Sequence, residues 1–562
     1  MAKRRIEIYI GNSSMRTCLG NKTETISSIR NGKSGLKYSE FYKMYVGEIS
    51  VQILEGYTRF ESLLIEQIHN VLKESGLSLS NKNVQLIIST TKGNVELLAE
   101  NTENIDERAF LYTSANTVAQ YFKSKNSPIV VSNACISGVS AFVVAKSLLQ
   151  DKKCEYVIIV GCDVLSEFIT SGFASFKSIS PKPCCPYDSK RDGLTLAEAA
   201  GAVILTTKTK YSETPLVRLI GGSITNDANH ISGPSRTGDG LYYAIQNAMD
   251  EAKLKAENIG FINAHGTATR YNDEMESKAI AWAKLDDKPL NSLKGHIGHI
   301  LGASGVVETI ICIEQLRQGY IFGTHGFVSS DTPHRLKVSA DTQKFLNKSC
   351  VKTASGFGGC NAAIILEMKK RVIKTADFFP QVTKKAKLVA KYTLPQSNLD
   401  FANFIRAEFK SFEESNMKFY KMCDMSKGLY VAVERLLKIE NWNNVEPTRR
   451  AIILSNKSAS LNADIKHQKI LNQRLPEGTS PAVFVYTLAN VAAGEMCIRH
   501  KIQGENTFFI ENEDSGFVEA YAKRLIENDE TDAVICGWCE FLQGKWDINL
   551  KLLKNKQYGT AY

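Results

Sequence analysis

At 562 residues the chain has room for roughly three or four domains of about 150 residues each, so one fold unit cannot account for it. Hydrophobic residues make up 43%, charged residues 23% and aromatic residues 9%, with 13 Pro, which excludes disordered and fibrous classes. The formal charge of +10 favours acidic partners, but over this length it is too mild an excess to indicate nucleic-acid binding. No window approaches 18 consecutive apolar residues, so no spanning helix and no membrane partner are expected. The start, MAKRRIEIYIGN, has a short apolar stretch alternating with charge. It reads as a first strand and not as an export signal, and a cytoplasmic location is expected. The 13 Cys are an odd number without framework spacing, which points to reduced thiols.

Apolar β-branched runs then alternate with helical patterns. Strand-like runs at Ile6 to Ile10, Val84 to Ser89, Ile129 to Ser132 and Tyr156 to Val160 are separated by helical stretches at Ser62 to Leu72, Ser114 to Phe122 and Gly138 to Leu149. This rhythm predicts an α/β fold with a largely parallel, buried sheet. A second set follows: strands at 200–206 and 215–225, a helix over 241–254, a strand at Phe261 to Asn263, helices over 274–283 and 304–317, and a closing strand at 362–367. Residues 370–395 read as a linker. A third α/β set runs from 396 to 562 and repeats the first. Tyr486-Thr-Leu-Ala-Asn490 echoes Tyr112-Thr-Ser-Ala-Asn116, and Asp532-Ala-Val-Ile-Cys-Gly537 echoes Glu155-Tyr-Val-Ile-Ile-Val-Gly161. Between them Glu513-Asp-Ser515-Gly516 falls where Cys135-Ile-Ser137-Gly138 falls, so a duplicated half-module is expected.

Three motifs carry chemistry. Asn133-Ala-Cys135-Ile-Ser-Gly138 places a cysteine between a strand and a helix, where the partial positive charge of the helix N-terminus lowers a thiol pKa. Taken alone it reads as a small buried cysteine; as a nucleophile it needs partners. Two glycine-rich loops supply candidates: Asn263-Ala-His265-Gly-Thr-Ala-Thr269, and the run from Lys294 through His296 and His299 to Gly305. Two histidines at strand ends downstream of such a cysteine fit a site assembled outside the carboxyl ends of a sheet.

With these motifs, PYDSKRDGLTLAEAAG from Pro186 and GFGGCNAA from Gly356, residues 5–368 resemble a β-ketoacyl-acyl carrier protein synthase of the elongating type, in the thiolase-like superfamily. The resemblance implies an αβαβα sandwich of two similar halves, 1–205 and 206–369, followed here by the linker and a truncated half-module, 396–562. It implies that Cys135 takes an acyl chain from acyl carrier protein as a thioester, with its own N–H and that of Phe357 forming the oxyanion hole. His265 and His299 would hydrogen-bond the malonyl thioester carbonyl and favour loss of CO2. The enolate would then attack the acyl-Cys135 carbonyl, with no metal or organic cofactor. Lys294 and Glu308 match the lysine and carboxylate that hold the histidine loop, and Phe357 matches the gate of the acyl pocket.

Some positions depart from the family. Ser355 stands where a Phe is usual beside the gate, and Ser114 where members differ at the pocket floor. His296 lacks a third ligand spaced for a metal and is expected to be solvated. Cys184-Cys185 and Cys536-Gly-Trp-Cys539 read as structural thiols. Two alternatives stay open: a non-catalytic partner resembling a chain-length factor, and a coenzyme A-dependent thiolase-like enzyme with Cys360 as second cysteine. A homodimer or a heterodimer with a synthase-like subunit is implied. In the third unit Glu513 replaces the nucleophile and no second half with histidine motifs follows, so catalysis by it is not expected. A half-module exposes the face its missing half would bury. It is therefore expected to pack on a synthase core, in its own chain or a partner, with Leu488 as the counterpart of Ser114.

Overall fold

The computed structural model describes residues 3–4, 6–369, 378–379, 384–412, 416–475 and 478–556. The first set of runs becomes β1 (Ile8–Thr17), α1 (Arg59–Ser75), β2 (Val84–Ser89), α2 (Leu111–Tyr121), β3 (Ile129–Val131), α3 (Ser137–Gln150), β4 (Tyr156–Asp163) and β5 (Ala199–Thr206). The strands form one sheet in the order β3-β2-β4-β5-β1. Because α2 and α3 cross over between them, β2, β3 and β4 lie parallel; β5 and β1 add antiparallel. Every residue of β4 is buried, as its unbroken apolar run requires of a strand covered on both faces.

The second set repeats this plan. It comprises β6 (Val217–Asn226), α4 (Asp239–Ala252), β7 (Phe261–Asn263), α5 (Arg270–Trp282), β8 (Pro289–Asn291), α6 (Ser304–Gln318), β9 (Ser349–Gly356) and β10 (Cys360–Met368). Its strand order is β8-β7-β9-β10-β6. Helices α3 and α6 touch strands of both sheets and make the middle layer of a five-layer sandwich. They cross at Gly138 and Gly305, where a Cβ on either glycine would come within 2.6 Å of the other helix's backbone. This close approach draws the two helix N-termini together, and each is fed by a loop carrying a candidate site residue.

The third set gives β11 (Ala386–Thr393), α7 (Phe401–Lys410), α8 (Asp424–Ile439), β12 (Arg450–Asn456), α9 (Leu461–Asn472), α10 (Val491–His500), β13 (Asn506–Ile510), α11 (Phe517–Glu527), β14 (Ala533–Leu542) and β15 (Lys545–Asn555). The strand order is again the same, β13-β12-β14-β15-β11. The expected linker over 370–395 therefore needs correction, because residues 386–393 are strand β11, paired with β15. Its alternating exposure, with Lys387 and Lys391 outward, is that of an edge strand and hides it among loop-like sequence. Residues 370–377 and 380–383 of that stretch lie outside the described residues.

The third unit continues the first sheet. Antiparallel pairing of Phe509 with Val131 and of Ile510 with Val130 joins β13 to β3, and Asn133 Nδ2 donates to the Asn506 carbonyl at 2.8 Å. The face expected to lie bare is instead polar. Its counterpart α3 is buried on every side except at Leu148 and Gln150, whereas α11 buries Val518, Tyr521, Leu525 and Ile526 and turns Glu519, Lys523 and Glu527 outward. Glu519 pairs with Lys523 one turn on, at 2.6 Å, and with Lys551 on β15 at 2.6 Å. Among the described residues no single helix is long and apolar enough to cross a membrane.

Candidate active site

Cys135 lies in the tight turn Ala134–Ile136 that links β3 to α3, with Ala134 forced to a positive φ of 48°. Such backbone is costly for a residue with a Cβ and recurs where a side chain must be aimed. The thiol is 8% exposed. Burial pushes its pKa up to about 12, against the opposing pull of Lys294 and of the backbone N–H groups of Cys135 and Phe357. The expectation that the helix N-terminus leaves a thiolate is thus overturned: desolvation of the charged form outweighs it, and the resting group is the thiol.

His299 Nε2 lies 3.3 Å from Cys135 Sγ, and His299 Nδ1 lies 3.2 Å from the Ser304 hydroxyl at the start of α6. The His265 ring stands edge-on to that of His299, with centroids 5.3 Å apart. Behind them Lys294 Nζ donates to the His265 carbonyl at 2.6 Å, lies 3.4 Å from His265 Nδ1, and pairs with Glu308 at 2.7 Å. A lysine ammonium is donor only, so Nδ1 accepts and the His265 proton sits on Nε2, the atom free to face a substrate. Burial first, and then Lys294, depress both histidines well below the ordinary value, so both are neutral.

Sequence reasoning missed two members. Lys352, on β9 and fully buried, pairs with the second oxygen of Glu308 at 2.6 Å. Burial alone would raise Glu308, but Lys294 and Lys352 outweigh it and hold the carboxyl below its usual range. Two lysines against one carboxylate leave a net positive charge beside the histidines. Glu276 on α5 accepts from the N–H groups of His265 and Gly266 at 2.9 and 2.6 Å and from the Tyr187 hydroxyl at 2.9 Å, which fixes the His265 loop. Glu276 lies eleven residues beyond His265 on the helix that follows its loop, and no local pattern tells that its carboxylate turns back onto that loop.

A cavity of about 240 Å³ reaches Cys135, His265, His299, Ser355, Phe357 and Cys360, with Phe173, Phe176 and Leu194 at its sides. Ser114 does not line it: fully buried, it donates to the Arg108 carbonyl and accepts from Asn94 Nδ2. Leu488 is likewise buried away from this cavity. His296 is not solvated as expected. It is 1% exposed, with its ring nitrogens 2.7 and 3.0 Å from the carbonyls of Lys33 and Gly323. Cys360 lines the cavity, but its thiol donates to the Phe357 carbonyl at 3.2 Å and burial raises its pKa well above the ordinary value. Glu513 is exposed in the turn before α11. Among the described residues no three His, Cys, Asp or Glu stand together as a metal site.

The family model for the β-ketoacyl synthase N-terminal domain matches residues 19–210, and that for the β-ketoacyl synthase C-terminal domain matches 216–328, together more than half of the chain. The chain belongs to the β-ketoacyl synthase family. Its relatives include a putative mitochondrial 3-oxoacyl-[acyl-carrier-protein] synthase of Schizosaccharomyces pombe, 29% identical over 252 residues, 41% of this chain and 59% of that protein. A 3-oxoacyl-[acyl-carrier-protein] synthase 2 of Coxiella burnetii is 24% identical over 65% of this chain and 99% of its own length. The match thus spans little more than half of the first synthase and nearly all of the second. Among solved structures, the PfaC keto synthase-chain length factor covers 99% of this chain, and the match covers 79% of that chain, with a TM-score of 0.78 at 13% identity. The likeness shows a shared fold that runs through the third unit as well.

Proposed function

We propose that this chain catalyses decarboxylative Claisen condensation of an acyl chain held on Cys135 with a malonyl group on acyl carrier protein, giving a 3-oxoacyl product. The observation that carries the reading is the buried contact of His299 Nε2 with Cys135 Sγ, backed by His265 and the Lys294, Glu308 and Lys352 cluster. In acyl transfer the sulfur attacks the donor thioester, its proton passes to His299 Nε2, and the leaving carrier thiol takes it up. The N–H groups of Cys135 and Phe357 stabilise the tetrahedral oxyanion. In the second half-reaction the C–C bond to the malonyl carboxylate breaks, CO2 leaves, and the electron pair collects on the thioester oxygen. His265 Nε2–H and His299 donate to that oxygen. Ser304 permits both roles of His299, because a hydroxyl donates to Nδ1 or accepts from it as required. The enolate carbon then attacks the acyl carbonyl; the new C–C bond forms as the C–S bond breaks, and Cys135 leaves as a thiolate that takes up a proton from solvent to restore the resting thiol.

Replacing His265 by Ala is expected to lower malonyl decarboxylation by about a hundredfold while changing Cys135 acylation less than about threefold, and His299 by Ala to lower both. Equal loss of both half-reactions in the His265 variant would reject its role. Protonating either histidine adds a positive charge beside two lysines, so decarboxylation should keep its rate down to about pH 6, below the ordinary histidine value of about 6.5. A fall in kcat already near pH 7 would count against neutral histidines.

The third unit supports a further part of this reading, an internal structural partner resembling a chain-length factor. It seats Phe484 against Phe173, Phe176 and Phe168, with centroids 5.4 to 6.3 Å away, so that a Cβ on Gly172 would collide with its ring. Phe173 in turn stacks on the gate Phe357. The third unit thereby backs the aromatic wall of the cavity and, through β13, pairs with the outer strand β3 of the first sheet.

A further inference from the structure

The loop that carries Phe357 is pinned on two sides. From the second half, Gly358 N–H donates to the Ile231 carbonyl at 2.6 Å, Asn226 Nδ2 donates to the Gly358 carbonyl at 2.8 Å, and Asp227 N–H donates to the Gly359 carbonyl at 2.7 Å. From the third unit, Asn490 Nδ2 donates to the Phe357 carbonyl at 2.8 Å. Asn490 is fully buried and sits at the N-cap of α10, where an asparagine ordinarily turns its side chain back onto its own helix. Here it makes no such capping bond. The amide is spent on the loop instead.

Two glycines let the helix come that close. A Cβ on Gly358, which holds a φ of +89°, would lie 2.6 Å from Asn490 Nδ2, and a Cβ on Gly494 would lie 2.7 Å from the Gly358 carbonyl oxygen. The Phe357 carbonyl belongs to the peptide that follows the one whose N–H faces Cys135. Fixing the first limits rotation about the Phe357 backbone, and so fixes where the second points.

From this juxtaposition we propose that Asn490 of the third unit is a positioning residue for the acyl-transfer half-reaction: it holds the gate loop so that Phe357 N–H stays aimed at the oxyanion and Phe357 stays closed against Phe173. The synthase site is then incomplete without the third unit, although that unit contributes no reacting group. The inference rests on the proposed roles of Cys135 and Phe357.

The test uses the full chain with Asn490→Asp, which keeps the shape but removes the donor, Asn490→Leu, which removes it without adding charge, and Gly494→Ala, which pushes α10 from the loop. Three quantities are read: acylation of Cys135 by an acyl carrier-protein donor, followed by intact mass; decarboxylation of malonyl carrier protein; and the rate of Cys135 alkylation by iodoacetamide. All three variants should lose about tenfold in acylation, a fraction of the hundredfold or more that deleting an oxyanion donor costs. Decarboxylation, served by the histidines, should change less than about twofold, and alkylation should speed up several-fold as the gate loosens. Wild-type acylation and alkylation in Asn490→Asp and Asn490→Leu would overturn the proposal. So would equal loss in both half-reactions with a matching fall in Tm, which is the signature of a merely structural contact. If the wild-type chain forms no condensation product, the reading of the function fails on its own. The alkylation rates then still decide whether Asn490 holds the gate.

Discussion

Replacing Cys135 by alanine is expected to abolish both the acyl-enzyme and the 3-oxoacyl product, a loss on the order of 10⁴ or more, while the fold survives. Among the described residues no second thiol in the cavity stands ready to replace that of Cys135. Cys360 lines the same cavity, but its proton is committed to the Phe357 carbonyl and its sulfur is more deeply buried than that of Cys135. Removing one sulfur from a site that already opens on a cavity should cost about 1 kcal/mol, comparable to deleting a buried methyl group. Intact-protein mass spectrometry after incubation with an acyl donor, with Tm as the control for folding, checks both halves of the statement. A variant that still carries an acyl group would move the nucleophile elsewhere. The raised thiol pKa sharpens the expectation. Because the resting sulfur is protonated, its reactivity depends on His299 and is not stored as a standing thiolate, so iodoacetamide should modify wild-type Cys135 slowly at neutral pH.

What the sequence discloses and what it hides divide along a physical line. Runs such as Tyr156 to Val160 and the strand at Phe261 to Asn263 declare themselves, because a strand buried on both faces must be apolar throughout. The α/β class follows from their alternation with helices. Strand β11 goes unseen because an edge strand has one solvated side, and its lysines read as linker. The site divides in the same way. Cys135, His265 and His299 stand in glycine-rich turns whose composition betrays close backbone packing. Lys352 stands in the middle of a strand, and nothing local says that its ammonium meets Glu308 from another element. Asn490 resembles an ordinary helix cap until the docking of α10 on the gate loop is known. The polar outer face of the third unit does have a signal in the sequence. Glu519, Lys523 and Glu527 recur every four residues along α11, which marks a solvated helix face where the first copy of the module needs a buried one. That spacing already says that the third unit requires no missing half to cover it.

The same observation governs the largest stability effect, truncation after Lys369. Since the outer face of the third unit is polar, the cost of removing it falls on the surface it leaves behind. Strand β3 loses its partner β13 and becomes an open edge, and Phe168, Phe173 and Phe176 lose Phe484. At about 2 kcal/mol for each large apolar side chain returned to water, this wall alone approaches the whole stability of a typical domain. The truncated chain should be insoluble or should pair with itself through β3, as seen by size-exclusion chromatography with light scattering. A soluble, active monomer with unchanged product lengths would reduce the third unit to an ornament. A point variant separates cohesion from coverage. Lys92, 6% exposed, donates to Asp464 at 2.6 Å, to Ser460 at 3.1 Å and to the Thr487 carbonyl, all on the third unit. In the truncated chain that ammonium returns to water. In Asp464→Leu it stays buried without its counter-charge, at a cost of about 3 to 5 kcal/mol. Asp464→Leu should therefore lower Tm, whereas the double variant Lys92→Met, Asp464→Leu, which buries no charge, should recover most of the loss. Recovery would show that the ion pair adds little net stability and that the aromatic wall supplies the binding energy. Failure of the double variant to recover would assign the cohesion to the pair itself.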